Sequence, residues 1–245
     1  MKIIVNMFLA AVTVPSLCAS AFVDETSVAK EFPSKNVKSV RFNSVSAPVS
    51  VDASTGPVRV TVSGFDAEKC EFEAEMTGPE LKIALKPKKR KTFFGGQSFD
   101  CRAGAAVFAP ASAEVDVRTV SGKVWANGFS APVRIGTVSG DSSVEGLSGG
   151  LEWTSVSGDL SGSLSGPAEM STTSGGASLR WVSAPSKIEF GSVSGPGKFV
   201  LPKGTAVSAS FRGVSGKLRN SLPEGGGVTV RLKTVSGDVE LLPAP

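Results

Sequence analysis

The sequence predicts an all-β chain folded as a single-domain parallel β-solenoid of about 18–21 residues per coil. Three observations lead to this. The dipeptide Ser-Gly, nearly always preceded by Val, recurs with its glycine at 122, 140, 158, 175, 195, 216 and 237, in steps of 18, 18, 17, 20, 21 and 21 residues. Fixed columns precede each glycine. Seven residues before stand Val115, Val133, Leu151, Ala168, Ile188, Ala209 and Val230, and five before stand Val117, Ile135, Trp153, Met170, Phe190, Phe211 and Leu232. Finally, no stretch beyond the first 21 residues repeats apolar side chains at helical spacing, while 28 Gly and 15 Pro punctuate a chain rich in Val, Ser and Thr.

The column between the two apolar ones is polar: Asp116, Arg134, Glu152, Glu169, Glu189, Ser210 and Arg231. In–out–in is the alternation of a strand with one buried face. A single coil cannot bury that face, so coils must stack and share a core. Each "VSG" then becomes one corner of one coil. Its glycine suits a sharp bend, often through positive φ. The third column, two before the glycine, is Val120, Val138, Val156, Thr173, Val193, Val214 and Val235, and reads as a further apolar contribution. After the corner Val124, Leu160, Ala177, Leu218 and Val239 return inward, with the position slipped to Val144 and Phe199 in coils two and five. Seven coils at about 4.8 Å each give a rod of roughly 34 Å. Along its polar column Asp116 should pair with Arg134 and Arg134 with Glu152, and the run Glu152, Glu169, Glu189 should be acidic.

Three segments follow from these patterns. Residues 1–21 read as a signal peptide: Lys2, the apolar run "IIVNMFLAAVTV", then Ala19-Ser20-Ala21, with cleavage before Phe22 and cleavage after Ser20 as a close second. Residues 22–110 read as irregular N-terminal β coils behind a short arm, with strands at "SVRFNSV", "PVSVDA", "PVRVTVSG", "CEFEAEM", "ELKIAL" and "GAAVFAP". They include a basic loop at 86–100. Residues 111–245 carry the seven regular coils.

Composition narrows the chemistry. With Lys2 lost, 25 Lys and Arg face 22 Asp and Glu, too even a balance to imply nucleic acid. The chain has no His, and the mature part keeps only Cys70 and Cys101, so no metal site or cofactor is expected. Two cysteines in an exported chain suggest a disulfide at the base of the basic loop, the alternative being two buried thiols. Asp141 and Asp159 follow the corner glycine in adjacent coils and should lie about 5 Å apart, close enough for acid–base work or a cation. They also suit simple turn residues, with Lys123 offsetting Asp141.

Two features point to binding. Lys86, Lys88, Lys89, Arg90 and Lys91 cluster beside Phe93, Phe94 and Phe99. They could meet anionic lipid headgroups, lipopolysaccharide phosphates or acidic glycans, or form a solvated loop. Trp125 lies next to the inward Val124, so it faces outward, where it can stack on a sugar ring unless residues 22–36 cover it. Trp153, Met170, Phe190 and Phe211 fall in an inward column and read as core.

The stretch "AAVFAPASAEVDVRTVSGKV" (105–124), the "VSGD" coils after it and the ending "VELLPAP" resemble the bacterial putative-adhesin family of β-strand repeats, also described as toast-rack-like domains. The resemblance covers nearly all of the mature chain; "EMSTTSGGAS" departs most, with Thr173 for Val and Gly176 for Asp. It implies an exported parallel β-solenoid and brings no catalytic residues. The expected function is therefore a non-enzymatic adhesin or envelope surface-binding protein, periplasmic, cell-surface or secreted. Its partner would be a cell-surface glycan, an anionic lipid or an envelope protein. The alternative is an envelope sensor or scaffold that takes an anionic ligand through the basic loop, and behind both stands a carbohydrate-active enzyme.

Overall fold

The computed structural model describes residues 27–88 and 101–245, and shows two long, mostly parallel sheets packed face to face over one continuous core. Each regular coil gives one strand to each sheet. The pairs are β8 (Glu114–Thr119) with β9 (Val124–Asn127), β10 (Val133–Thr137) with β11 (Ser142–Leu147), β12 (Leu151–Ser155) with β13 (Leu160–Leu164), and β14 (Ala168–Thr172) with β15 (Ala177–Trp181). They continue as β16 (Lys187–Ser192) with β17 (Gly197–Leu201), β18 (Val207–Gly213) with β19 (Leu218–Asn220), and β20 (Val228–Thr234) with β21 (Val239–Pro243). The register joins like to like: Val133 opposes Val115 and Leu151, and Trp153 opposes Ile135 and Met170. The columns of the sequence are thus the inward columns of the first sheet.

The N-terminal part extends both sheets. It contributes β1 (Val28–Phe32), β2 (Ser39–Ser44), β3 (Val49–Ala53), β4 (Val58–Ser63), β5 (Cys70–Thr77), β6 (Glu80–Pro87) and β7 (Gly104–Ala109). All six strands expected between 39 and 109 form, and β1 adds a seventh from the arm. Three of them break the parallel pattern: β1 and β4 pair antiparallel, as do β4 and β7, and β5 and β6. The end of the rod is therefore closed by hairpin-like strands. A disulfide joins Cys70, at the start of β5, to Cys101, just before β7, with Cα atoms 5.2 Å apart. A cross-link spanning 31 residues stabilises by about 3–4 kcal/mol on chain-entropy grounds.

The β2–β3 unit is an eighth regular coil. Val40 opposes Val115, Phe42 opposes Val117, and the corner is Ser44-Val45-Ser46-Ala47, with Ala47 in the glycine position. The same columns were present in the sequence, hidden by one substitution. At Gly140 a Cβ would overlap the carbonyl of Gly122; at Gly158, that of Gly140; and at Gly122, that of Ala47. Every corner glycine thus has the corner backbone of an adjacent coil standing where its Cβ would be. None of the seven corner glycines has positive φ. Close stacking rather than backbone handedness demands glycine here, which corrects the expectation from turn chemistry.

Two further corrections concern the core. The valines two before the glycine face solvent: Val120, Val138, Val156, Val193 and Val235 are 44–48 % exposed. The inward position is one residue earlier, where Thr119, Thr137, Ser155, Thr172, Ser192 and Thr234 are buried. Each of these hydroxyls accepts the backbone N–H of its corner glycine, at 2.6–3.0 Å. A buried amide that would otherwise lack a partner is satisfied within its own turn. The corner serines reach across instead, Ser139 Oγ donating to the Val120 carbonyl and Ser157 Oγ to that of Val138.

Coils two and five do not slip. Ser142 and Gly197 occupy the inward position after the corner, because large aromatics fill the space beside them. Trp153 donates its indole N–H to Ser142 Oγ at 3.1 Å, and a Cβ on Gly197 would press on the rings of Phe190 and Phe199. Trp181, Phe199 and Phe190 pack edge to face next to them, with centroids 6.0 and 5.4 Å apart.

The spatial order of coils departs from the sequence at the C-terminal end. The last coil, β20–β21, inserts between β16–β17 and β18–β19, so the corners run Gly195, Gly237, Gly216. Leu232 rather than Phe211 is the neighbour of Phe190. Phe211 lies in the terminal coil, partly exposed, with its ring folded over Gly213 where other coils carry Thr or Ser. Terminal repeats depart from the consensus because they meet solvent on one side, and this one does so from the penultimate place in the sequence.

Candidate functional site

The outer face of the sheet containing β9 carries two exposed aromatic rings. Strand alternation puts Val124 and Ala126 inside, so Trp125 and Asn127 face out. By the same logic Val49 and Val51 send Ser50 and Asp52 outward on β3, and Val107 and Ala109 send Phe108 outward on β7. Register brings these together: Trp125 opposes Ser50 on one side and Ser143 on the other, and Asp52 opposes Phe108 and Asn127. Trp125 is 40 % exposed and Phe108 37 %. The serines beside Trp125 are too short to cover an indole. Residues 28–36, in and after β1, lie at the far edge of this sheet, with β4, β7 and β3 between β1 and β9, and do not cover Trp125.

Between the rings Asn127 Nδ2 donates to Asp52 Oδ1 at 2.6 Å. Two strand spacings and two residues of rise put the rings about 12 Å apart. Glu145 continues the row beyond Asn127, and Arg59 continues it beyond Phe108. The Arg59 guanidinium is held by Glu31, with its Nε and Nη2 both 2.8 Å from Oε1. Phe108, Asp52 and Asn127 were not singled out from the sequence, though the alternation of "GAAVFAP" and "PVSVDA" already placed Phe108 and Asp52 on the outer face.

The other candidates are distributed as follows. Asp141 and Asp159 are exposed but each serves the next coil: Asp141 Oδ1 accepts the Asp159 N–H at 3.3 Å, and Asp159 Oδ1 accepts the Gly176 N–H at 2.7 Å. Lys123 Nζ lies 3.8 Å from Asp141. Asp238 does likewise for Lys217, at 2.8 Å. Lys86 stands on β6 between Glu71 and Glu73, at 3.6 and 3.8 Å, and Lys88 Nζ donates to the Ala67 carbonyl. Lys89, Arg90, Lys91, Phe93 and Phe94 lie outside the described residues, as does the 1–21 segment.

On the opposite sheet the polar column pairs differently from expectation. Arg134 Nε meets Glu152 at 3.0 Å, but Asp116 goes to Arg41 and Arg118, because β2 rather than nothing lies on its other side. Lys187 bridges Glu169 and Glu189, and Arg231 meets Glu189 at 2.7 Å, so the Glu152–Glu189 run is largely neutralised. The depression bounded by Ala184–Ser186, Thr205, Ala206 and Gly225–Val228 carries no charged side chain. Among the described residues no group of His, Cys, Asp and Glu is placed to hold a metal ion, and no helix is long and apolar enough to cross a membrane.

The chain is similar to several solved structures. A structure from Bacteroides fragilis NCTC 9343, described as a putative adhesin, is 14 % identical over 89 % of this chain and 97 % of its own, with a TM-score of 0.48. One from Parabacteroides distasonis ATCC 8503, described as a putative lipid binding protein, is 16 % identical over 89 % and 97 %, at 0.43. One from Clostridium sporogenes ATCC 15579, described as a putative cell adhesion protein, is 11 % identical over 90 % and 100 %, at 0.41. No curated protein matches. Residues 111–242, more than half of the chain, match the Toastrack DUF4097 family, and the chain belongs to that family.

Proposed function

We propose that this protein is an exported, non-enzymatic solenoid that binds a surface, as an adhesin or an envelope-binding protein, through the outer face carrying Trp125 and Phe108. The observation that supports the reading is the exposure of those two rings on strands fixed from both sides by neighbouring coils. A rigid platform needs little ordering when a partner docks, so more of the contact energy appears as affinity. The carboxylates that could have served an enzyme, Asp141 and Asp159, are taken up by backbone amides of the stack. Export is supported by the 1–21 leader and by the disulfide, which suits an oxidising compartment. The test is retention of the mature protein on envelope fractions and intact cells: the reading expects binding by the wild type and loss in the double variant Trp125→Ser, Phe108→Ser. Equal retention of both would sink it.

A second reading gives binding of an anionic ligand, such as a lipid headgroup, lipopolysaccharide or acidic glycan, to the basic segment at 86–100. It is favoured by the Cys70–Cys101 bridge, which fixes the foot of that segment to the rod. Replacing Lys88, Lys89, Arg90 and Lys91 with Ser should then abolish binding to anionic liposomes, and added salt should weaken it. Unchanged liposome binding by that variant excludes the reading.

A further inference from the structure

We infer that the Trp125–Phe108 face is a subsite for uncharged oligosaccharide, with the Asp52–Asn127 pair reading hydroxyl groups between the two rings. The inference rests on the surface-binding reading above and names its ligand class.

A pyranose offers two kinds of surface: a patch of C–H groups on its ring face and hydroxyls around its rim. The first is matched by an aromatic ring lying open on a flat support, and the second by planar groups with paired donors and acceptors. Among the described residues Trp125 has Ser50 and Ser143 beside it across the sheet, both too short to cover the indole, which is 40 % exposed. Phe108 supplies a second ring about 12 Å away, a span suited to a short oligosaccharide rather than to a single sugar. Asn127 and Asp52 lie between the rings and are half-buried. Their mutual hydrogen bond uses one N–H and one carboxylate oxygen. The second amide N–H, the amide oxygen and the other carboxylate oxygen remain for ligand hydroxyls.

Charge decides which sugars fit. The charged groups beside the rings are the carboxylates of Asp52 and Glu145, and the neighbouring cations, Lys123 two residues before Trp125 and Arg59 beyond Phe108, are paired with Asp141 and Glu31. A uronate, sialate or sulfated sugar would meet two carboxylates, while both neighbouring cations among the described residues are already paired. An uncharged sugar meets acceptors suited to its hydroxyls. This separates the face from the basic segment, whose chemistry favours the opposite ligand.

The distribution of tryptophans supplies the readout. Trp153 and Trp181 are buried, so collisional quenching of fluorescence by acrylamide reports Trp125. The mature protein is titrated with cello-, xylo-, manno- and N-acetylchito-tetraose as uncharged probes, and with tetragalacturonate as the charged one. At least one uncharged probe should protect Trp125 saturably at millimolar concentration or below. Phe108→Ser and Asn127→Ala should weaken that protection by about tenfold or more with only a small fall in melting temperature, since Phe108 is exposed and Asn127 half-buried on the outer face. Trp125→Ser, read by calorimetry, should abolish binding. The inference is overturned if no uncharged probe protects Trp125, if tetragalacturonate protects it equally well, or if Phe108→Ser leaves protection unchanged. Retention on cells separates the two levels: a double variant Trp125→Ser, Phe108→Ser that loses cell binding while the wild type ignores every probe overturns the saccharide assignment and leaves surface binding in place.

Discussion

Gly158 rests against the carbonyl of Gly140, so closely that a methyl group there would overlap the carbonyl oxygen. The relation recurs from coil to coil, and it makes the corner row the least forgiving part of the rod. Gly158→Ala forces two coils apart in a close-packed interior and should cost about 1–3 kcal/mol or more by urea denaturation. Gly56→Ala is the matched control. Its nearest outside atom is 3.8 Å from the added carbon and its φ is not positive, so the change should stay within about 0.5 kcal/mol. Equal effects at the two sites would refute the close-stacking account.

The hydroxyl column can be tested at Thr137, whose Oγ1 accepts the Gly140 N–H at 2.8 Å in a buried corner. Thr137→Val keeps the shape and removes the acceptor, leaving an amide without a partner at about 1–3 kcal/mol. Thr137→Ser restores most of the stability. If valine and serine behave alike, the bond is not what holds the corner.

The exposed valine row makes the reverse prediction. Val156→Ser lies on the solvent side, so unfolding midpoints should move little, within about 0.5 kcal/mol. A loss of the size typical for a truncated core side chain, about 2–5 kcal/mol, would mean that the valines are buried after all.

The contact between Glu189 and Arg231 joins coil five to the inserted last coil, and its pH dependence follows from geometry. The Arg231 hydrogen bond, then that of Lys187, hold the Glu189 carboxyl below its ordinary value, outweighing a small opposing effect of burial. A carboxyl with a depressed folded-state pKa stabilises the fold in full above its unfolded value. That contribution is lost as the pH falls from the usual glutamate range through its own lower one. Wild-type stability should therefore fall more steeply than that of Glu189→Gln as the pH drops below about 4.3, as read by melting temperature against pH. Parallel curves would show that the pair is not linked to folding.

The solenoid was legible because it is periodic, and the parts that were not legible are those where one residue or one connection breaks the period. The β2–β3 coil has every column in place, yet Ala47 hides it, because glycine is the mark by which the repeat is read. Conversely Thr61-Val62-Ser63-Gly64 spells the motif but is no corner: β4 runs antiparallel, and Arg59 sits where the apolar column should be. The exposed valines were misassigned because a two-residue alternation counted from the apolar columns lands on the threonines, and the turn then throws the following valine outward. Trp125 was found by that same alternation, while Phe108 joined it only through register between strands distant in sequence. Nothing local in the sequence encodes the order of the last two coils, although Gly213 in place of Thr marks the coil that ends the rod.

That order has a consequence for synthesis. Chain growth is vectorial, and the level that completes the stack, β20 and β21, emerges after both of the levels between which it must enter. A chain cut short before Val228 leaves two facing strand edges without partners, or lets β18–β19 settle one level inward, where Gly213 offers no hydroxyl to the amide of Gly216. A chain lacking β20 and β21 cannot close this end of the stack, so the architecture itself tells such a truncated chain from one that carries them before any binding surface is put to use.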